Sequence, residues 1–281
     1  MAARQSKVMA AADAVRSLAL GPEIAVAIGG MHMHNNPMAL VRELIRQGRR
    51  LGRVITSPSA SINIDILIGA GLVDEVLTAY VGLEHLGLAP HFRRAVQAGT
   101  LRVLEVDEAY VIHGLYAGAG GLPFIPHPID MSTVDIPKVN PHIYQTVTDP
   151  FTGRTVTALR PLVPDVALVH CQEADAQGNC GFRGAPFSDR LMALAAKRVI
   201  VQCERVVTPE RLQEYPPGTT LPGFLVQAVV EAPGGCHPTG SHGEYLYDEP
   251  ALQEYLRASR EPEAFQAYLD QHVRGGEVQR G

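Results

Sequence analysis

The sequence of 281 residues predicts an α/β protein in which an open, mostly parallel sheet is flanked by helices. Two observations support this fold class. Short, continuously apolar runs recur along the chain, as expected for parallel strands that are buried on both faces. Stretches of about ten residues with helical periodicity lie between these runs, and this alternation is typical of a parallel sheet with right-handed crossovers.

The first strand and helix are predicted at the start of this pattern. Residues 23–28 form an apolar run that ends at Gly29-Gly30, and a polar loop follows. The next helix is predicted at 38–47, because Asn36 can cap it and Pro37 suits its first turn. Gly29-Gly30 allows a close backbone approach and points amides at a bound anion, so it is a candidate substrate-binding site for an oxyanion or a phosphate. A plain turn is the alternative.

The next elements continue the alternation of strand and helix. Strands are predicted at 53–56, 75–81 and 101–106, and helices at 62–71 and 90–98. Asp107 is expected to cap a further helix, which begins near Glu108 and ends at the glycine cluster of 118–121. Glu108 in that first turn complements the helix dipole, which is a structural role in its own right.

The composition changes in a proline-rich segment at about 123–153, which we interpret as a connecting segment because long stretches without regular structure are usually lids or linkers. The α/β pattern then resumes. Strands are predicted at 165–170, 198–201 and 224–230, with a helix at 189–197 and a polar helical tail at about 248–273. No internal repeat is present, and the sequence is interpreted as one domain over 1–281.

Composition excludes several classes of function. A hydrophobic content of 46%, 19% charged residues and a net charge of −5 are typical of a globular protein without an affinity for nucleic acid. No apolar run reaches the roughly 18 residues of a membrane span, and the start of the chain lacks a signal-peptide apolar region. The chain is therefore expected to be cytoplasmic. Its four cysteines do not suggest a disulfide framework.

Glu84 is the most informative candidate residue. It lies between Gly82 and Gly87, after the strand at 75–81 and before the helix at 90–98. An acidic side chain in such a loop is placed at the carboxyl end of a strand, where open α/β sheets bind their ligands. A solvated or hydrogen-bonded loop glutamate is the alternative.

The stretch at 79–95 closely resembles a segment of the family I coenzyme A transferases, and the resemblance extends from about Lys7 to Tyr255. It is similar to the A, or alpha, subunit of the glutaconate CoA-transferase kind. The other matching segments lie at 37–43, 67–73, 120–126, 146–153, 160–167, 195–201 and 230–238.

This resemblance implies the activity and the partners. Such transferases move CoA between an acyl-CoA and a small carboxylic acid through a glutamate nucleophile, which divides a difficult exchange into easier steps. The resemblance implies that this nucleophile belongs to a homologous beta subunit, whereas Glu84 lies in the equivalent loop of the A half. CoA is then part of the substrate, and no cofactor is expected.

Two alternatives follow from the same resemblance. In a branch that hydrolyses cyclic acyl-CoA rings, the neighbourhood of Asp107-Glu108 resembles the site of an acid/base glutamate. A non-catalytic acyl-CoA-binding or scaffold subunit is the other alternative. In place of the family's expected Gly-Ser-Arg loop, this chain has residues 31–36, so the resemblance does not extend to recognition of an acidic acyl group.

No metal site is predicted. His32 and His34 are two residues apart and have no adjacent third ligand at typical spacing. Cys171 and Cys180 lack the spacing of a paired CxxC motif, and we interpret them as buried, unreactive thiols.

Overall fold

A computed structural model describes residues 5–275 of the chain. Within this part the strands, numbered in chain order, are β1 (Ala25–Ile28), β2 (Leu51–Thr56), β3 (Ser59–Ala60), β4 (Val73–Thr78), β5 (Tyr80–Val81), β6 (Arg102–Glu105), β7 (Ile125–Pro126), β8 (Tyr144–Thr148), β9 (Thr155–Leu159), β10 (Val166–Asp175), β11 (Cys180–Gly181), β12 (Val199–Val207), β13 (Thr220–Leu221) and β14 (Val226–Glu231). All seven predicted strands are present. The predicted domain of 1–281 also includes residues 1–4 and 276–281, which lie outside the described residues.

The helices of the described part connect and cover these strands. They are α1 (Ala11–Arg16), α2 (Met38–Arg46), α3 (Ile62–Gly69), α4 (Pro90–Gln97), α5 (Glu108–Ala119), α6 (Ile136–Val139), α7 (Asp189–Ala195), α8 (Pro209–Leu212), α9 (Glu249–Ala258) and α10 (Pro262–Leu269), followed by a π-helical turn at Asp270–Arg274. The predicted α/β class is confirmed.

The main sheet is open and mostly parallel. Seven parallel strands lie in the order β6-β4-β2-β1-β10-β12-β14. The short strand β11 pairs antiparallel with β10, and β13 pairs antiparallel with β11. The adjacent residues Ala27 and Ile28 on β1 pack into two different hydrophobic clusters. This alternation is the period of two that a strand imposes, and it explains why β1 is apolar throughout.

Two helical layers cover the faces of this sheet. One cluster joins the sheet to α2, α3, α9 and α10, and the other joins it to α5, α7 and the β8–β9 hairpin. The tail predicted as helical at 248–273 is helical, but one face of it is buried because Tyr255, Phe265 and Leu269 pack into the first cluster. Tyr255 also donates a 2.6 Å hydrogen bond to the buried Asp65 on α3, which attaches the tail to the domain.

The proline-rich segment contains more structure than its composition suggests. Strands β7, β9 and β8 form a small antiparallel sheet, and β8 and β9 are joined by a tight turn at 149–154. Asp149 Oδ1 accepts a hydrogen bond from the Phe151 amide, and Gly153 takes the left-handed conformation that closes the turn. The segment is therefore partly an ordered hairpin and not only a connection.

Candidate active site

The candidate site lies at one edge of the main sheet. Strands β1, β2, β4 and β6 are parallel neighbours, so their carboxyl ends meet there. The loops that leave these ends hold Gly29-Gly30, Ser59, Glu84 and Glu108. This is the edge at which open α/β sheets bind ligands, and it collects residues that are up to about eighty positions apart in the chain.

Glu84 occupies a tight, strained turn. The turn Glu84–Leu86 is a single 3₁₀ segment, and the Leu83 amide donates to the Gly87 carbonyl across it at 2.8 Å. Glu84 itself has a φ of 51°, in a left-handed region that non-glycine residues rarely adopt. Its side chain is 39% exposed. Backbone strain of this kind is often concentrated at functional sites.

His32 lies directly against this carboxylate. Its Nδ1 is 2.9 Å from Glu84 Oε1, which is an ion-pair distance, although the two groups lack the alignment of a hydrogen bond. The His32 amide donates to the Ser59 carbonyl at 2.7 Å, and the Ser59 hydroxyl donates to Glu108 Oε1 at 3.3 Å. Both predicted carboxylates are thus connected through His32 and Ser59. No sequence pattern indicated the contact between His32 and Glu84.

Glu108 and Asp107 have different roles at the start of α5. Asp107 is the cap, as predicted, because its Oδ1 accepts a hydrogen bond from the Tyr110 amide at 2.9 Å. It also accepts hydrogen bonds from Tyr144 Oη at 2.7 Å and His127 Nε2 at 3.0 Å. Burial acts to raise the pKa of Asp107, but these donors outweigh it and lower that pKa. The hydrogen bonds to Asp107 thus give its carboxylate a structural role, whereas the carboxylate of Glu108 is exposed.

The amides of Gly29-Gly30 are not free, contrary to the expectation for an anion site. The Gly29 amide donates to the Leu168 carbonyl at 2.8 Å, and the Gly30 amide donates to Asp189 Oδ1 at 2.8 Å. Asp189 thus occupies the position that a bound anion would need. Burial raises the pKa of Asp189 to about 7. A Cβ on Gly29 would lie 2.7 Å from Asp189 Oδ1, so glycine is required by this close approach.

His34 is within electrostatic range of the same carboxylate. Its ring lies 6.0 Å from the Tyr247 ring in an edge-on arrangement. Burial lowers the pKa of His34, the Glu84 charge raises it, and the nearby His242 and His32 lower it. His32 and His34 therefore both interact electrostatically with Glu84.

A buried cluster of metal-ligand types lies farther along the sheet, but its hydrogen bonds exclude metal ligation by its histidine. The donor atoms of His170, Glu204 and Cys236 all lie within 4.8 Å of one another. Gln202 Oε1 accepts hydrogen bonds from the Ala39 and Leu40 amides, which orients its Nε2 donor toward His170 Nδ1 at 3.0 Å. The proton of His170 must then be on Nε2.

This proton assignment is consistent with the partners of Nε2. His170 Nε2 lies 3.0 Å from Ser241 Oγ and 3.4 Å from Glu204 Oε1, so both can accept its hydrogen. Burial lowers the pKa of His170 to about 3, which keeps the ring neutral. A metal would have to displace this proton and leave the Gln202 donor unmatched, so the residues do not fit a metal ion.

The four cysteines are all buried and reduced. Burial raises the pKa of the thiols of Cys171, Cys203 and Cys236. They therefore lack the thiolate character of reactive cysteines.

The candidate site is an open edge. Two cavities of about 460 and 410 Å³ lie elsewhere, the first lined by residues such as Arg49 and Asp74 and the second by residues such as Arg183 and Tyr215. Neither is lined by His32, Glu84 or Glu108. Across residues 5–275, no helix has the length and apolar character needed to cross a membrane.

Comparison with known proteins gives consistent matches over most of the chain. The family model described as Coenzyme A transferase matches residues 8–232. The 3-oxoadipate CoA-transferase of Pseudomonas knackmussii has an A subunit that is 36% identical over 89% of this chain and 88% of its own length. The cholesterol ring-cleaving hydrolase IpdA subunit of Rhodococcus jostii is 32% identical over 99% of this chain and 95% of its own length.

Two further matches compare this chain with a longer relative and with a crystal structure. A relative from Archaeoglobus fulgidus is 36% identical over 96% of this chain, which spans 60% of that protein's length. The crystal structure of glutaconate coenzyme A-transferase from Acidaminococcus fermentans has a TM-score of 0.87 and 30% identity to this chain. The match covers 97% of this chain and 90% of that one.

Proposed function

Since this chain belongs to the coenzyme A transferase family, we propose that it is the A, or alpha, subunit of a two-component CoA transferase. Its substrates are an acyl-CoA and a small carboxylic acid, and CoA enters as part of the substrate. The observation that most supports the proposal is the likeness to glutaconate coenzyme A-transferase over 97% of the chain. Two relatives that are named as A subunits of CoA transferases support a homologous beta subunit in the role of partner.

The proposal places the nucleophilic glutamate on the beta subunit. In this chain Glu84 is 2.9 Å from His32 Nδ1, and a carboxylate held against an imidazole is a weaker nucleophile than a free one. The edge that holds Glu84 and Glu108 lies outside the two cavities described above, so an apposed subunit can enclose the reacting groups and exclude water from them.

A second candidate function is the hydrolysis of a cyclic acyl-CoA by a complex of the same architecture. Glu108 is exposed at the carboxyl edge of the sheet and accepts a hydrogen bond from Ser59, so it can exchange protons with a bound ligand. The similarity to a ring-cleaving hydrolase subunit favours this candidate too. A third candidate function is that of a scaffold subunit that only binds acyl-CoA, and an experiment must distinguish it from the two enzymes.

The proposal includes a cytoplasmic location. All four cysteines are buried and unpaired, which suits a reducing compartment.

The decisive experiment is a steady-state assay of the co-expressed pair. A panel of acyl-CoA donors is tested with acetate, succinate and glutaconate as acceptors, and the chain alone and the partner alone are the controls. CoA exchange with ping-pong kinetics supports the transferase. Loss of acyl-CoA without an acceptor supports the hydrolase. Acyl-CoA binding without either reaction supports the scaffold and contradicts both enzymes.

A further inference from the structure

His32 and Glu84 form a preorganised pair at the candidate site. We propose that His32, oriented by Glu84, is the residue of this chain that takes a proton from a water molecule attacking the acyl group and returns it to the leaving group. The inference rests on the proposed function in its hydrolytic form, because exchange of CoA between carboxylates requires no such proton transfer.

The burial of the two imidazole nitrogens supports this role. His32 Nδ1 is buried beside Glu84 Oε1, whereas the side chain as a whole is 31% exposed. The exposure therefore comes from other atoms of the side chain. A carboxylate next to Nδ1 favours the tautomer with its proton on Nδ1, and Nε2 is then free to accept a proton.

The backbone holds both members of the pair in uncommon conformations. His32 has a φ of 50° and Glu84 has a φ of 51°. Of the four non-glycine residues with positive φ in the described part of the chain, three are Glu84, His32 and Asn35, the last two from one loop. Such conformations cost of order 1 to 3 kcal/mol each and persist only where the surroundings impose them.

The surroundings of His32 explain how its conformation is imposed. Its amide donates to the Ser59 carbonyl at 2.7 Å, and its carbonyl accepts a hydrogen bond from Asn36 Nδ2 at 2.9 Å. Met31 and His34 exchange two backbone hydrogen bonds of 3.0 Å across the turn. Both polar backbone groups of His32 are thus fixed, as a preorganised catalytic side chain requires.

Asn35 attaches this turn to the buried core. Its amide donates to the Gly240 carbonyl at 2.7 Å, and its Oδ1 accepts from Gln172 Nε2 and from the His242 amide, each at 3.1 Å. Gln172 is almost fully buried on β10. The loop is therefore fastened to the main sheet at a point three residues from His32, which makes Asn35 a positioning residue.

The proton transfer balances within the pair and its substrate. As water attacks a carbonyl carbon, one of its O–H bonds breaks, the proton moves to His32 Nε2 and the electron pair of that bond stays on the oxygen. The carbonyl π electrons move to the carbonyl oxygen. When they return, the bond to the leaving group breaks, and the leaving group keeps the electron pair and takes the proton from His32.

The titratable groups that face the pair are few. His34 interacts electrostatically with Glu84 and with His32, His242 lies near His34, and Glu108 is reached through Ser59. His85 follows Glu84 in the turn, but its Nε2 is directed at Glu249, at 3.6 Å. His85 is thus a suitable control, because it shares the loop and the residue type without contacting the Glu84 carboxylate at ion-pair distance.

The kinetic test uses the complex with its partner subunit. His32→Asn is the main variant, because asparagine tolerates the left-handed backbone. We expect it to lower kcat for hydrolysis about 10²- to 10⁴-fold with little change in KM. Glu84→Gln should lower kcat by less than His32→Asn, because it keeps the imidazole but removes the carboxylate beside its Nδ1. His85→Gln should stay within about twofold of the wild type on both measures.

A spectroscopic test separates this inference from the proposed function. In the histidine-labelled complex, ¹⁵N NMR should show His32 with its proton on Nδ1, a pattern that Glu84→Gln changes and His85→Gln does not. A proton on Nε2, or hydrolysis by His32→Asn within twofold of the wild type, overturns the inference and leaves the proposed function intact. CoA exchange without hydrolysis also overturns the inference and leaves the transferase form of the proposed function intact, whereas no reaction with any acyl-CoA contradicts both.

Discussion

Four acidic side chains lie near the carboxyl ends of β1, β4 and β6, and their immediate partners give them different properties. Glu84 contacts an imidazole, and Glu108 contacts only the Ser59 hydroxyl among the bonds described above. Asp107 accepts three hydrogen bonds, and Asp189 is buried against the Gly30 amide. Only Glu84 and Glu108 are therefore available to a ligand.

The two exposed carboxylates can be compared by removing their charges. If the complex is a hydrolase, we expect Glu108→Gln to lower kcat about 10²- to 10⁴-fold, more than Glu84→Gln, because Glu108 can exchange protons with the ligand directly, whereas Glu84 acts on the attacking water only through His32. If it is an ordinary transferase, both changes should be mild. Steady-state kinetics of the complex measures this difference.

Stability provides the control for this comparison. A Glu108 that only complements the helix dipole should cost about 1 kcal/mol or less when it is replaced by glutamine. Full activity together with a marked fall in thermal midpoint for both variants would remove these residues from the site.

Asp189 should make stability depend on pH in an unusual direction. Its pKa is raised from 3.8 to about 7 by burial, so the folded state holds a proton that the unfolded state releases. The favourable contribution is complete below pH 4 and is lost as the pH rises to 7. Between pH 5 and 8 this loss is about 2 to 3 kcal/mol, since each pKa unit corresponds to about 1.4 kcal/mol.

Asp189→Asn tests this dependence, because asparagine can still accept the hydrogen bond from Gly30 but does not ionise. We expect its free energy of unfolding to fall less than that of the wild type between pH 5 and pH 8. Urea denaturation at the two pH values measures the difference. Equal losses in both proteins would show that Asp189 does not titrate in this range.

At the scale of elements, the start of α2 depends on a residue far away in the sequence. The sequence predicts that Asn36 caps this helix, but Asn36 makes no capping bond, and its Nδ2 donates to the His32 carbonyl instead. The amides of Ala39 and Leu40 donate to Gln202 Oε1 on β12, at 2.9 and 3.3 Å. The prediction is wrong because a local rule cannot detect a partner that is 163 residues away.

Gln202→Leu should therefore destabilise the protein. It removes the acceptor of the Leu40 amide and the donor to His170 Nδ1, whereas the Ala39 amide keeps its 2.9 Å hydrogen bond to the Gly235 carbonyl, and each buried unsatisfied group costs about 1 to 3 kcal/mol. We expect a loss of about 2 to 4 kcal/mol, measured by urea denaturation. Gln213→Leu is the matched control, since Gln213 is exposed at the end of α8 and should change stability by less than about 0.5 kcal/mol. A loss below about 1 kcal/mol for Gln202→Leu would contradict the capping role.

The same limit explains which features are predictable from the sequence. The seven parallel strands are predictable because each contains a local cluster of apolar residues, and the Asp107 cap because its partner Tyr110 is three residues away. The hairpin of β8 and β9 is not predicted, because the prolines around it indicate a connecting segment without regular structure. Its alternation of threonine and valine at 146–148 and 155–157 is the available indication.

The site is less predictable than the fold for the same reason. Glu84 and Glu108 are predicted to be functional from their loops, and the structure brings them to one edge. The partner of Glu84 is His32, fifty-two positions earlier, and the amide of Gly30 is taken by Asp189, 159 positions later. Such contacts are set by the order of strands in the sheet, which is a property of the folded chain.

At the scale of the whole molecule, apolar side chains remain exposed and are unevenly distributed. Phe151, at the tip of the β8–β9 hairpin, is 95% exposed. Half of the large apolar side chains that are exposed in the described part lie in about one eighth of the chain, at Tyr116, Leu122, Phe124, Ile129, Val134, Val139 and Phe151. Large apolar exposure of this kind is typical of surfaces that bind another protein.

The isolated chain should consequently be both inactive and prone to associate with itself. Two homologous subunits that share a site are expected to bury at least about 2,000 Å² of largely apolar surface, which is the range of obligate complexes. Without its partner the chain should self-associate or aggregate at micromolar concentration in sedimentation experiments. It should also show no CoA exchange, because the proposal places the nucleophile on the partner. Co-expression with the partner should restore both a defined complex and turnover. A stable monomer would count against an obligate partner, and ping-pong exchange by the single chain would make Glu84 the nucleophile.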